Sequence, residues 1–301
     1  MNDLPSHDPN RCRVIGVLDD GVASLGATAL AHLRAADVVI GGARTLALFR
    51  HTFKAGAVTH DLTGQLKAVP GWVRAAREAH QACVVLATGD PLCHGIAPYL
   101  AQHLCLDALE ILPNLSTLQL ACARVGLAWQ DARIVSVHAA DAGEWQRGAP
   151  PTHGLYALAQ ALRAEQRLLL LTSPANSPDR IARLLLAEGL GSDFHMAVAE
   201  HLLQPDERVH AQLSPAEAAR MRFAEPNVVL LWRTRPRPQP VRFGLADSAF
   251  EQRQPEKGLI TKQEVRAVSL ARLQLRADSV VWDIGAGSGS VGLEAARLCP
   301  Q

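Results

Sequence analysis

Ala82-Cys83-Val84-Val85-Leu86-Ala87-Thr88-Gly89-Asp90-Pro91-Leu92 is the stretch on which the fold turns. It opens as an apolar run, the pattern of a strand buried on both faces, and breaks at Gly89-Asp90-Pro91. Pro91 pushes Asp90 out of the α region, and Gly89 lets backbone come close to a ligand. At the C-terminal end of a parallel strand, such a turn stands where open α/β sheets bind ligands. A bare Gly-Asp-Pro turn is also common as plain structure, so the rest of the chain has to decide.

Outward from this run, short β-branched stretches alternate with Ala- and Leu-rich helical ones. Strands are expected at Arg13–Leu18, Asp37–Ile40, Ala82–Thr88, Leu109–Leu112 and Arg133–His138. Helices are expected from Ser24, as N-cap, to Ala36, and at Pro70–His80, His94–Leu104 and Thr117–Val125. The alternation predicts a parallel sheet covered on both faces. After about residue 142 the texture changes: Gly148-Ala149-Pro150-Pro151 breaks the chain. A second α/β lobe is expected, with helices at Leu155–Glu165, Ser177–Gly189 and Pro215–Met221 and strands at Leu168–Thr172, Ala197–Ala199, Glu207–Gln212 and Asn227–Trp232. The Pro- and Arg-rich run 233–240 reads as a linker. Beyond it, Thr261-Lys262-Gln263-Glu264 has the form of a capping box opening a helix to Leu273.

Composition limits the function classes. The 301 residues suit about two domains at ~150 residues each. A formal net charge of +1 argues against dedicated nucleic-acid binding. No apolar run approaches the ~18 residues of a membrane span, and the polar N-terminus lacks a secretory core. Six cysteines, at 12, 83, 93, 105, 122 and 299, show no metal-ligand spacing. A soluble cytoplasmic protein with no metal, membrane or nucleic-acid partner is expected.

A second ligand-type loop closes the chain. Val280-Val281-Trp282-Asp283-Ile284-Gly285-Ala286-Gly287-Ser288-Gly289 reads as a strand entering a glycine turn before a helix. With an acidic residue at the strand end, it resembles the first motif of Rossmann-type methyltransferases. By that resemblance, Asp283, Gly285, Gly287 and Gly289 would face S-adenosylmethionine. A nicotinamide-binding turn is the competing reading.

Several ordered motifs carry a wider resemblance. They are Val14–Gly21, Asp37–Arg44, Gly89–Ile96, Pro113–Ala121 and Trp129–His138. Together they resemble the tetrapyrrole methyltransferases of the cobalamin pathway, in the branch that methylates carbon 5 of precorrin-6Y, also called precorrin-6B. Thr261–Ala267 and the Asp283 loop resemble the start of the carbon-15 methylating and decarboxylating domain fused to it. The resemblance implies a two-lobed α/β tetrapyrrole methylase fold with the cofactor cleft between the lobes. It divides the chain into an N-terminal tail (1–12), a first lobe (13–142), a second lobe (143–233), a linker (234–257) and an incomplete Rossmann-type segment (258–301).

It also implies S-adenosylmethionine as cofactor, held by Leu18, Asp19, Gly89, Asp90, Cys93, Ser116 and Thr117. A polycarboxylate precorrin is the implied substrate, with Arg44 and Arg133 as candidates for its carboxylates, and a homo-oligomer is the implied assembly. Three positions depart from the family pattern: the first loop lacks a second glycine, Cys93-His94 replaces an aromatic pair, and Leu115-Ser116-Thr117 replaces a double serine. His94 and His138 are the weak candidates for moving a proton; packing at a helix start and at a strand end are their plain alternatives. Glu200 and Glu207 are expected to make structural hydrogen bonds. About 44 residues with one strand cannot close a core, so carbon-15 chemistry is expected to be absent, with Ser279–Ile284 unpaired or pairing between chains. Another tetrapyrrole or diphthine-type methyltransferase and a non-catalytic binding subunit stay open.

Overall fold

The computed structural model describes residues 10–138, 140–236, 241, 243–251 and 260–299. It divides into two compact units, Met1–Pro236 and Arg237–Gln301.

The first unit holds two five-stranded sheets. The first contains β1 (Cys12–Val17), β2 (Val38–Gly41), β3 (Val58–Asp61), β4 (Cys83–Thr88) and β5 (Leu109–Leu112) in the order β3-β2-β4-β1-β5. Every pairing in it is parallel. All of β1 is buried, including Arg13, whose guanidinium pairs with Glu110 of β5 at 3.1 Å. The crossover helices are α1 (Ala27–Ala35), α2 (Ala43–Phe49), α3 (Val69–Glu78) and α4 (Ala97–His103). Two of their starts differ from expectation. Gly26 rather than Ser24 caps α1, and the Ser24 hydroxyl donates to Gly21 O instead. α4 begins at Ala97, because His94 has left-handed backbone (φ +55°) and cannot start a helix.

Next comes α5 (Thr117–Val125), closed at its N-terminus by a reciprocal Ser116–Gln119 capping box. The second sheet contains β6 (Arg133–Ser136), β7 (Arg167–Leu171), β8 (Phe194–Glu200), β9 (Arg208–Leu213) and β10 (Asn227–Arg233) in the order β6-β7-β10-β8-β9. Only β6 and β7 run parallel; the remaining pairs are antiparallel. The chain therefore changes sheet before residue 133, earlier than the expected lobe boundary at 142. β6 looks like the strands before it in sequence, but its backbone partner is β7. The helices α6 (Tyr156–Ala164), α7 (Pro178–Ala187) and α8 (Pro215–Ala218) complete this half.

α5 joins the two sheets. Leu118, Leu120 and Ala121 pack with Leu18 from the loop after β1 and with Leu169, Ala197 and Leu230 from the second sheet. Cys12, Cys83 and Cys122 are buried free thiols, Cys93 and Cys299 are half-buried and Cys105 is exposed.

In the second unit the described α-helices are α9 (Gln263–Leu273) and α10 (Ser290–Leu298). Lys262 is the N-cap of α9 and makes no side-chain cap bond, so the expected capping box does not form. Arg266 and Glu294 are both fully buried and lie 3.3 Å apart. Glu294 also accepts the amides of Gly244 and Leu245, and the Arg266 guanidinium donates to Asp247 Oδ1 at 3.1 Å. Part of the expected linker thus packs with α9 and α10. Ser279–Ile284 forms no strand, and Val280, Trp282 and Ile284 are 85%, 82% and 89% exposed.

Candidate active site

A cleft of about 440 Å³ opens in the first unit between the two sheets, within the ~300–1,000 Å³ usual for small-molecule sites. One wall is built from the turns after β1 and β4 and the turn before α5, all at the C-terminal end of the parallel sheet. These turns lie unusually close together. A Cβ on Gly16 would stand 2.3 Å from Gly89 O and 2.7 Å from the Asn114 amide nitrogen, so only glycine fits. Gly89 itself has φ +72° and donates its amide to Val17 O at 2.8 Å. Asp90 Oδ1 accepts the Leu92 amide at 2.9 Å, closing the turn. Asn114 Nδ2 donates to Gly16 O and Ser24 O at 3.2 and 3.1 Å, tying this wall into one piece.

Of the seven residues expected at the cofactor in this unit, the structure brings six to the cleft: Asp19, Gly89, Asp90, Cys93, Ser116 and Thr117. Leu18 lies beside them but turns its side chain into the core, 4% exposed. Asp19 Oδ2 accepts Arg44 Nη1 at 2.7 Å and Gln204 Nε2 at 3.0 Å, linking two cleft-side loops. Ser116 Oγ accepts the Gln119 amide at 3.2 Å, so its first task is to cap α5. Burial pushes the Cys93 thiol up, the Asp90 charge adds to this, and a hydrogen bond with Ser116 opposes it. A thiol kept protonated is a poor nucleophile.

Both candidate histidines also line the cleft. His94 sits on the turn after Pro91. His138 Nδ1 lies 2.7 Å from Thr172 O. A carbonyl only accepts, so Nδ1 carries the proton and a neutral ring has its lone pair on Nε2.

The second wall was not legible as a motif. It comes from the end of β7, the end of β8 and residues Glu225–Val228 leading into β10. Thr172 Oγ1 lies 2.6 Å from Asn227 O, and Asn227 Nδ2 donates to Ala224 O at 2.8 Å. Loss of solvent raises the Glu225 carboxyl, opposed by a hydrogen bond with Asn227 and by the charge of His138. The sequence signal was one Glu-Pro step before an apolar strand. Glu200 and Glu207 do make structural bonds: Glu200 accepts the Ala224 amide and faces His210 Nε2, and Glu207 accepts Arg124 of α5 and the Leu203 amide.

The second-unit loop behaves differently. Gly285, Gly287 and Gly289 all have left-handed backbone, and Gly289 is the N-cap of α10. Asp283 Oδ2 accepts the Gly292 amide at 2.9 Å, so this carboxylate closes the start of α10. Among the described residues, no group of three His, Cys, Asp or Glu side chains is arranged to hold a metal ion, and no helix is long and apolar enough to cross a membrane.

Residues 12–216 match the sequence model of the tetrapyrrole (corrin/porphyrin) methylases, and residues 252–301 match that of a precorrin methyltransferase domain. The precorrin-6Y C(5,15)-methyltransferase [decarboxylating] of Sinorhizobium sp is 35% identical over 290 residues, which cover 93% of this chain and 63% of that protein. The cobalt-precorrin-7 C(5)-methyltransferase of Salmonella typhimurium is 29% identical over 197 residues, covering 65% of this chain and 88% of that protein. Among solved structures, the methyltransferase CobJ superposes with a TM-score of 0.58 at 19% identity, covering 76% of this chain and 97% of that one, which shows the shared fold. The chain spans about two thirds of the length of its first relatives, 63% and 67%. With residues 12–216, most of its length, matching that model, this chain belongs to the tetrapyrrole (corrin/porphyrin) methylase family.

Proposed function

We propose that the first unit is an S-adenosylmethionine-dependent C-methyltransferase acting on carbon 5 of precorrin-6Y/6B in corrin-ring synthesis. The observation that carries this reading is the cleft itself. It pairs a backbone-rich turn, Gly89–Asp90, with a wall of small polar groups from the other sheet. The fit to the cofactor is chemical as well as spatial. Asp19 and Asp90 bring carboxylates to the cleft that suit a sulfonium cation, and the Gly89 turn leaves no Cβ in the way. The Salmonella relative, named for the C(5) step alone, aligns with 65% of this chain, which supports placing that step in the first unit.

When bound, the cofactor supplies an electrophilic methyl group. The chain's own residues orient it and exclude water, the two contributions that suffice for such a transfer. Asp19, Gly89, Asp90, Cys93, Ser116 and Thr117 hold the cofactor, with Leu18 contributing backbone. His138 Nε2 is placed to accept a proton from the methylated carbon, and His94 is the second candidate. Arg44, half-exposed beside Asp19, and Arg133, at the start of β6, remain the candidates for substrate carboxylates, although neither lines the cleft itself. Residues 258–301, with Asp283, Gly285, Gly287 and Gly289, correspond to the opening of a Rossmann-type methyltransferase domain. Cytoplasmic location and homo-oligomerisation complete the reading.

The test is incubation with methyl-labelled S-adenosylmethionine and precorrin-6B, followed by mass spectrometry and NMR of the product. A labelled methyl on carbon 5 is expected. Labelling only at other carbons contradicts the assignment.

A further inference from the structure

The turn joining β8 and β9, residues 201–207, touches both walls of the cleft. Leu202 lines it. Gln204 Nε2 donates to Asp19 Oδ2 on one side at 3.0 Å. On the other side His201 reaches the Glu225–Asn227 wall twice: its amide donates to Pro226 O at 3.0 Å, and its Nε2 meets Glu225 O. The other ring nitrogen, Nδ1, meets Asp206 Oδ2 at 2.5 Å. His201 and Leu203 have left-handed backbone, φ +49° and +66°, which side-chain-bearing residues keep only when surrounding bonds hold them there.

The two acceptors define the state of this ring. A carbonyl oxygen only accepts, and so does an ionised carboxylate. A neutral imidazole has a single N–H and would point a lone pair at one of them. An imidazolium satisfies both.

We propose that His201 is a positioning residue: as an imidazolium it straps the 201–207 turn to the Glu225 wall and so holds the cleft in its ligand-binding shape. This rests on the reading of the cleft as the cofactor site. The charges around it are consistent. The hydrogen bond with Asp206 and then that with Glu225 O raise His201 above the ordinary histidine range; burial opposes this, and the charges of Asp206 and Glu200 add to it. Arg208 on β9 acts on Asp206. Glu200, at the end of β8, is itself engaged by His210, and the Glu225 carboxyl lies on the same wall. A raised folded pKa means the strap is complete below the unfolded value of about 6.5. It is lost as pH rises through the folded value.

The test uses the full chain and S-adenosylhomocysteine as probe, with affinity measured by calorimetry beside the ring-nitrogen NMR shifts of His201. Both ring nitrogens are expected to be protonated at low pH, and affinity to fall about fivefold as they titrate, at the low end of measured couplings between sites. Asp206→Asn should move both transitions to lower pH and leave the low-pH plateau intact, since it does not touch the His210–Glu200 pair. His201→Gln should bind weakly at every pH; if it does not fold, Asp206→Asn decides alone. A ring nitrogen unprotonated at low pH, or an affinity profile unmoved by Asp206→Asn, overturns the proposal. Absence of binding at every pH would overturn the cofactor reading instead. The strap then stands or falls on whether exchange protection of the His201 amide, which donates to Pro226 O, drops as His201 titrates.

Discussion

Gly16 sets the spacing of the cleft wall. Its missing Cβ allows the backbones of β1, the Gly89 turn and Asn114 to touch, and the nearest atom to an added Cβ is a carbonyl oxygen at 2.3 Å, which is backbone and cannot swing aside. Gly16→Ala is therefore expected to cost at least ~3 kcal/mol, the upper end for overpacking, read as a lowered urea midpoint. Gly71 is the control. It lies inside α3 with open space at its Cβ position, so Gly71→Ala should stabilise by ~0.5–1 kcal/mol through helix propensity. Equal effects at the two positions would contradict the packing argument. At this scale the sequence showed the turn residues but not their division of labour. Ser116 caps α5 and Leu18 belongs to the core, and nothing in a single sequence distinguishes a residue beside a ligand from one that holds its neighbour.

Elements were legible where burial wrote a pattern. β4 read as an apolar run because both of its faces are covered. β3 was missed, because three of its four residues are exposed at the sheet edge and Val-Thr-His-Asp carries no apolar period. β6 was found but placed with the wrong sheet, since sheet membership depends on a partner far along the chain. The converse case is Ser279–Ile284. Its apolar run has strand composition, but a strand needs a neighbour to bond with, and none pairs with it among the described residues. Amides of residues 280–284 are expected to exchange without protection in this chain, and Trp282 fluorescence to be open to collisional quenching. Protected amides in a monomer would mean that the segment finds a strand partner within the chain.

At the scale of the whole molecule, the first unit makes one site from two unlike sheets. The parallel sheet offers tight turns at its C-terminal edge, and the mixed sheet supplies the facing wall. α5 holds them together by packing the loop after β1 against β7, β8 and β10. The parallel half of the site could be read from the Gly89-Asp90-Pro91 turn because strand-end turns have characteristic residues. The mixed half could not, because Thr172, Glu225 and Asn227 come together only through sheet order. On the proposed function, the methyl donor occupies the cleft between these halves. The most direct test is a structure of the full chain crystallised with S-adenosylhomocysteine. The ligand is expected between the Gly89–Asp90 turn and the Glu225–Asn227 wall, with Ser116 and Thr117 beside it. A ligand held only at the Asp283–Gly289 loop, with the cleft empty, would contradict it.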